Sequence, residues 1–234
     1  MDYNLNNIKD KILWVCPTRG RPEKLQKMLD SFYDTTEGDS DLLIAIDSDD
    51  RSYDKMMFHD NNESILWEVN DPIGGKFLHL LNKMALKYVD DYKYIGFMED
   101  DVILRTDGYE KVFIEKLKEL GDFSLVHGND GINTPRLVSL PVLTSKLVKT
   151  LGFFAPPELN CLWADYFWRE LANTGLVREH YFPEIVIQHM HYSVIDNIPD
   201  QTAINMEQVA IPDFPGYHSY IKSKFHEDIK KLRK

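Results

Sequence analysis

Short continuous apolar runs alternate with stretches of helical periodicity along most of this chain. Ile12-Leu13-Trp14-Val15-Cys16 is an unbroken apolar run closed by Pro17, the pattern of a strand buried on both faces of a parallel sheet. Leu42-Leu43-Ile44-Ala45-Ile46, Ile65-Leu66-Trp67-Glu68-Val69 and Tyr94-Ile95-Gly96-Phe97-Met98 have the same character. Between them, Leu25, Met28, Leu29 and Phe32 fall on one helical face after Pro22, whose fixed φ suits a first turn. After Gly74-Gly75, a second helical face carries Phe77, Leu80, Leu81, Met84, Ala85 and Tyr88. The spacing predicts another helix from about Gly108 to Leu120 and a strand over Phe123 to Val126.

The second half is less regular. The pattern predicts a strand over Leu137 to Leu143, a short helix over Lys146 to Leu151 and an amphipathic helix over Trp163 to Ala172. Glu184 to His189 reads as a strand, residues 193–216 carry little periodicity, and Tyr217 to Arg233 reads as one C-terminal helix. Strands alternating with helices predict an α/β fold, a mainly parallel sheet flanked by helices. With no repeat or clear linker, residues 1–192 are expected to form one domain. Residues 193–234 would then be a C-terminal extension, ending in a helix packed on it.

Composition narrows the partners. At 234 residues with 43% hydrophobic content, the chain can bury a sizeable core. Its 27 Lys and Arg against 38 Asp and Glu give a net charge of -11, which disfavours bulk electrostatic binding to nucleic acid or an anionic membrane. Two cysteines, Cys16 and Cys161, exclude a disulfide scaffold and a four-cysteine zinc site. Met1-Asp2-Tyr3-Asn4 is polar and acidic, unlike an export signal, and no apolar run could span a bilayer. A soluble cytoplasmic protein with no membrane partner is the expectation.

Candidate chemistry gathers where strands stop, the place where ligands bind in such sheets. The first strand ends in Thr18-Arg19-Gly20-Arg21, the second in Asp47-Ser48-Asp49-Asp50, the fourth in Glu99-Asp100-Asp101. Three adjacent carboxylates repel one another unless a cation or donors compensate, and a hard divalent ion such as Mn²⁺ or Mg²⁺ would do so. The alternative is a solvated acidic turn. Asp47 could accept hydrogen bonds from a base or ribose, or belong to an Asp-rich turn. Arg19, Arg21 and the lysine of Gly74-Gly75-Lys76, each near a helix start, suit a diphosphate, although each loop also reads as a surface turn. His189 and His191 share one face of a strand end and could ligate a metal or simply satisfy backbone groups. Asp165, near a helix start between Trp163 and Trp168, could cap the helix or act as a general base in a dry site.

The order of these signals resembles the nucleotide-sugar glycosyltransferases of the GT-A fold, closest to the family-two-like inverting group. The resemblance rests on Pro-Thr-Arg-Gly-Arg-Pro, Ile-Asp-Ser-Asp-Asp, Gly-Gly-Lys, Phe-Met-Glu-Asp-Asp-Val, Trp-Ala-Asp and Ile-Val-Ile-Gln-His-Met-His, spread over roughly residues 11–192. It implies a Rossmann-like sheet and a metal-dependent, hexosyl-type transfer from a nucleoside-diphosphate sugar, most simply a UDP-sugar. Pro17, Thr18, Arg19 and Arg21 would line the nucleotide pocket. Asp47 would meet the base or ribose, and Lys76 the base or diphosphate. Glu99 and Asp100 would face the nucleotide, Glu99 at its ribose, while Asp101 with His189 or His191 would bind Mn²⁺ or Mg²⁺. Asp165 would be the base. Glu99 replaces the usual first Asp of the metal motif, and Ala164 replaces the Glu that many relatives place before the base.

Gly128-Asn129-Asp130-Gly131, Leu151-Gly152-Phe153 and Ala155-Pro156-Pro157 are similar to small phage-type transferases of this fold, which implies a hydroxymethylated pyrimidine in DNA as one acceptor. The net charge opposes it. A C-terminal basic cluster including Lys222, Lys224, Lys230 and Lys231 favours it, unless that helix simply packs on the body through Tyr217, Tyr220 and Phe225. A nucleotidyltransferase using a nucleoside triphosphate and a non-catalytic nucleotide-sugar binding protein are the rival classes.

Overall fold

The first three apolar runs and the fourth become adjacent parallel strands. In the computed structural model, which describes residues 8–60, 62–195 and 198–234, β1 (Lys9–Thr18) lies between β2 (Ser40–Asp47) and β4 (Tyr92–Phe97). β3 (Ile65–Asn70) extends the sheet beyond β2. Met1-Asp2-Tyr3-Asn4 lie outside the described residues. Ile12 to Cys16 are fully buried, as expected of a central strand covered on both faces. α1 (Pro22–Thr35) and α3 (Phe77–Tyr88) follow the predicted faces, burying Leu25, Met28 and Phe32 in one and Leu78, Leu81 and Met84 in the other. Gly96 in β4 leaves room for the Trp14 ring: a Cβ there would stand 2.4 Å from Trp14 Cε3.

The sheet continues past β4 through β7 (Val142–Thr144), β6 (Ser124–Asn129), β8 (Arg178–His189) and β5 (Val102–Leu104). Its order is β3-β2-β1-β4-β7-β6-β8-β5. The β1–β2, β1–β4, β2–β3 and β6–β8 pairings are parallel, while those of β7 with β4 and β6, and of β5 with β8, are antiparallel. A single α/β domain with a mainly parallel sheet flanked by helices results. Because the chain runs outward to β3 and then crosses back to β4, β1 and β4 flank a topological switch point, where a ligand crevice is expected.

Three elements differ from the sequence pattern. Of the stretch predicted as a strand from Leu137, only Val142–Thr144 is one, and Leu140 adopts a left-handed φ of 48°. The C-terminal helix is two, α9 (Asp213–Ser223) and α10 (Phe225–Leu232), broken at Lys224. The region of little periodicity contains α7 (Tyr192–Ile195) and α8 (Gln201–Val209). The remaining helices are α2 (Asp54–His59), α4 (Tyr109–Leu120), α5 (Ser145–Leu151) and α6 (Ala164–Asn173). The C-terminal helices are clasped to the body. The fully buried Asp213 carboxylate accepts the backbone N–H groups of Asn160, Cys161 and Leu162 at 2.7–2.8 Å.

Candidate functional site

The first strand end is held by a chain of hydrogen bonds. The Arg21 N–H donates to the Tyr53 hydroxyl at 2.9 Å, which lies 2.7 Å from Thr18 Oγ1, and that hydroxyl donates to Asp100 Oδ2 at 2.6 Å. Such a relay orders each group through the next. The acidic run after β2 clamps the same loop. Arg19 Nη1 donates to Asp47 Oδ2 at 2.8 Å and the Arg19 fork grips both oxygens of Asp49, while Gly20 N–H donates to Asp50 Oδ2 at 2.7 Å. Asp49 and Asp50 therefore serve the turn. Asp47 differs: it is buried, burial pushes its carboxyl above the usual range despite Arg19 and the nearby Ile73 backbone N–H, and its Oδ1 makes no well-formed hydrogen bond. A buried acceptor left open in a cavity wall awaits a donor.

The acidic triplet occupies the turn between β4 and β5, and that turn sends its carboxylates to different partners. Asp100 turns to Thr18 and to Arg21, whose Nη1 lies 3.2 Å from Asp100 Oδ1. Glu99 and Asp101 turn the other way and meet His189, whose Nε2 lies 3.2 Å from Glu99 Oε2 and 3.3 Å from Asp101 Oδ1. The sheet explains this meeting. β5 begins just after the triplet and pairs antiparallel with the end of β8, placing Val102 opposite His189, with Met190 N–H bonded to the Asp101 carbonyl at 2.7 Å.

One ligand atom from each of Glu99, Asp101 and His189 lies within 4.8 Å of the others. Burial pushes Glu99 and Asp100 up. Asp101 is held low because His189, Arg21 and Lys24 outweigh its burial. Burial opposes a charge on His189, but Glu99 and Asp101 more than offset it and raise the imidazole to about 9. Glu99 and Asp101 thus favour the charged imidazole between them, a role that a divalent cation could take over. Two carboxylates and an imidazole could together hold a divalent cation.

These strand ends open into one cavity of about 930 Å³. Pro17, Thr18, Arg19, Arg21, Asp47 and Glu99 to Asp101 line it from the first half of the chain, and Asp165, His189 and His191 from the second. Lys76 does not: it is exposed at the start of α3, whereas Gly74 and Gly75, at φ of 64° and 79°, do line the wall. The His191 ring centroid stands 5.4 Å from that of His189, outside the Glu99–Asp101–His189 trio, with Nδ1 bonded to Ser193 Oγ at 2.7 Å. Asp165 opens α6. Burial raises its carboxyl to about 6 although it accepts the Tyr166 N–H at 3.0 Å. Leu140 and Trp163, the non-glycine residues of positive φ among the described residues, both line this cavity. Left-handed backbone costs a non-glycine residue of order 1 kcal/mol and collects at functional walls.

The sequence pattern did not single out Lys24, Tyr53 or Asp200. Lys24 sits in the first turn of α1, three residues after the N-cap residue Arg21. Asp200 caps α8 through Ala203 N–H at 2.8 Å and reaches back to Arg21 Nη2 at 2.9 Å and Lys24 Nζ at 2.8 Å. Through α8, Thr202, Ala203 and Met206 complete the cavity wall.

No protein-family model matches the sequence, and no curated protein does. Solved structures do. S. aureus TarS residues 1–349 align at a TM-score of 0.60 and 15% identity over 92% of this chain and 73% of that one. The same protein in complex with UDP aligns at a TM-score of 0.59 and 13% identity, over 76% of this chain and 59% of that one. A longer TarS structure gives a TM-score of 0.57 at 13% identity. It covers 76% of this chain, which spans only 36% of that structure. The likeness establishes the fold.

Proposed function

We propose that the chain is a metal-dependent inverting glycosyltransferase that moves a hexosyl group from a nucleoside-diphosphate sugar, most simply a UDP-sugar, to an acceptor hydroxyl. The observation that carries this reading is the convergence of Glu99, Asp101 and His189 with Arg21 in one cavity at the β1–β4 switch point. The likeness to a structure in complex with UDP supports the choice of nucleotide. Residues 193–234 act as an extension of a transferase domain over residues 1–192, with α8 completing the pocket.

Each side chain has a task. Asp47 Oδ1 accepts a hydrogen bond from the base or ribose. Arg19 and Arg21 neutralise diphosphate oxygens, and Lys24 adds a point charge beside Arg21. Glu99, Asp101 and His189 hold Mn²⁺ or Mg²⁺, with His191 next to them. Bound there, the cation supplies Lewis-acid neutralisation of the departing diphosphate. Asp165 accepts the proton of the acceptor hydroxyl as its oxygen bonds to the anomeric carbon. The bond from that carbon to the diphosphate breaks, and its electron pair leaves on UDP. Attack opposite the leaving group inverts the configuration.

A thermal-shift screen of nucleotide-sugars with and without Mn²⁺, followed by assay of UDP release, tests this. A metal-dependent shift with one UDP-sugar and its turnover are expected. Turnover of nucleoside triphosphates instead would make the chain a nucleotidyltransferase. Binding of donors with neither hydrolysis nor transfer would make it a nucleotide-sugar binding protein.

A further inference from the structure

An aromatic group beside Asp165 is used by no part of the donor site. Trp163 is its pivot, with ring centroids 4.7 Å from Tyr166, 5.1 Å from Phe214 and 5.5 Å from Tyr217, the last stacked. His218 meets Phe214 edge-on at 4.5 Å. Tyr217 is buried and backs the cluster, but Phe214 is 53% exposed and Tyr166 40%. Aromatic surface of this extent left in water next to a cavity marks a binding face. Two segments distant in sequence build it. Trp163 and Tyr166 belong to the start of α6, Phe214 and His218 to α9, and the Asp213 carboxylate locks α9 to residues 160–162 just ahead of Trp163. Trp163 lines the same cavity as Asp165, and Tyr166, Phe214 and Tyr217 gather round Trp163 outside that lining, so Trp163 is the link between the aromatic group and the candidate base.

The charges around it select the occupant. Trp163, Tyr166, Phe214, Tyr217 and His218 include no lysine or arginine. The cavity cations Arg19, Arg21 and Lys24 are paired with Asp47, Asp49, Asp100, Asp101 and Asp200 around the ends of β1, β2 and β4. Lys224 at the end of α9 is bound to Glu158, and Lys231 to Asp228. A phosphodiester chain would meet a repelling field from a molecule of net charge -11, with Lys222, one turn beyond His218 on α9, and Lys76 as the nearby lysines outside the ion pairs just named. A pyranose ring offers what the face can use, an apolar C–H side for the aromatic rings and a hydroxyl edge for Asp165. We infer that Trp163, Tyr166 and Phe214 form the acceptor subsite of this chain and that the acceptor is a neutral saccharide whose ring stacks there with one hydroxyl presented to Asp165. The inference rests on the proposed transfer reaction. The acceptor hydroxyl gives its proton to Asp165 and its oxygen to the new glycosidic bond, and UDP leaves.

Saturation-transfer NMR in the presence of UDP and Mn²⁺ tests it, using neutral trisaccharides of β-glucan, α-glucan and chitin type, and in parallel a single-stranded oligonucleotide. Calorimetry with UDP alone reads the donor site separately. At least one trisaccharide should bind through its ring C–H protons. Phe214→Ala and Tyr166→Leu should each weaken it at least fivefold and raise the acceptor KM while the donor KM stays. Both side chains are substantially exposed, so the variants fold, and Trp163→Phe serves as a third with the ring retained. The inference is overturned if UDP binds but no trisaccharide does, if saccharide binding survives both exposed substitutions, or if the oligonucleotide occupies the face in preference. Saccharide binding without UDP binding would sink the donor reading and leave the aromatic face standing as a saccharide site.

Discussion

A carboxylate partly withdrawn from water ionises late, and for Asp165 this has two expected consequences. Burial pushes its carboxyl up to about 6, so the basic form that the proposed proton abstraction needs would be lost as pH falls below that value. We expect kcat/KM to decline about tenfold per pH unit below pH 6 in a pH–rate profile. Asp165→Asn should keep UDP affinity and lose roughly 10²-fold or more in turnover; full kcat in that variant would remove Asp165 from the reaction. The same raised pKa means that the folded state favours the protonated form. Its contribution to stability is present at low pH and lost as pH rises through about 6. Asp165→Asn should therefore melt at a higher temperature than the parent at pH 7.5, by a few degrees, and show no such gain at pH 4. For the metal trio, Asp101→Ala should abolish the Mn²⁺-dependent part of UDP binding in calorimetric titrations with and without the ion. At this scale the sequence was informative about types and not partners. Adjacent acids suggested a cation site, but only strand pairing showed that Glu99 joins Asp101 and His189, and only the fold showed Lys76 outside the cavity lining that its neighbours Gly75 and Phe77 share.

Elements built from continuous apolar runs were legible because burial on both faces leaves little choice of residue, as in Ile12 to Cys16. Elements stabilised by distant partners were not. β5 is three residues long and exists because β8 pairs with it. α8 has a weak apolar stripe and is anchored by Asp200 to Arg21 and Lys24. That anchor is itself testable. Asp200→Asn keeps an efficient helix cap while removing the charge that competes for the two cations. UDP should bind several-fold tighter to it in calorimetry, and unchanged affinity would show that Arg21 and Lys24 do not meet the diphosphate. β4 carries a different constraint. With Trp14 Cε3 only 2.4 Å from where a Cβ would sit, Gly96→Ala should lower stability by roughly 1–3 kcal/mol in denaturant unfolding.

On the scale of the molecule, the sheet order and the sign of the charge act together. The β1–β4 switch point gathers acids from separate strands into one cavity, and the net charge of -11 adds to their repulsion. Occupancy by a nucleotide and a divalent ion should relieve that repulsion. At a hundredfold excess over its Kd, UDP with Mn²⁺ should stabilise the fold by about 2.7 kcal/mol, or roughly 5 °C or more in Tm for a chain of this size. None of the described helices is long and apolar enough to cross a membrane.

One carboxylate near the end of the chain governs a distant workplace. Asp213 ties down the three peptide groups that lead into α6, so the position of the proposed base depends on residues some fifty positions downstream. A chain shortened before Asp213 would retain every residue proposed to touch the donor and still misplace Asp165. Limited digestion that nicks the C-terminal helices should accordingly spare nucleotide binding while silencing transfer.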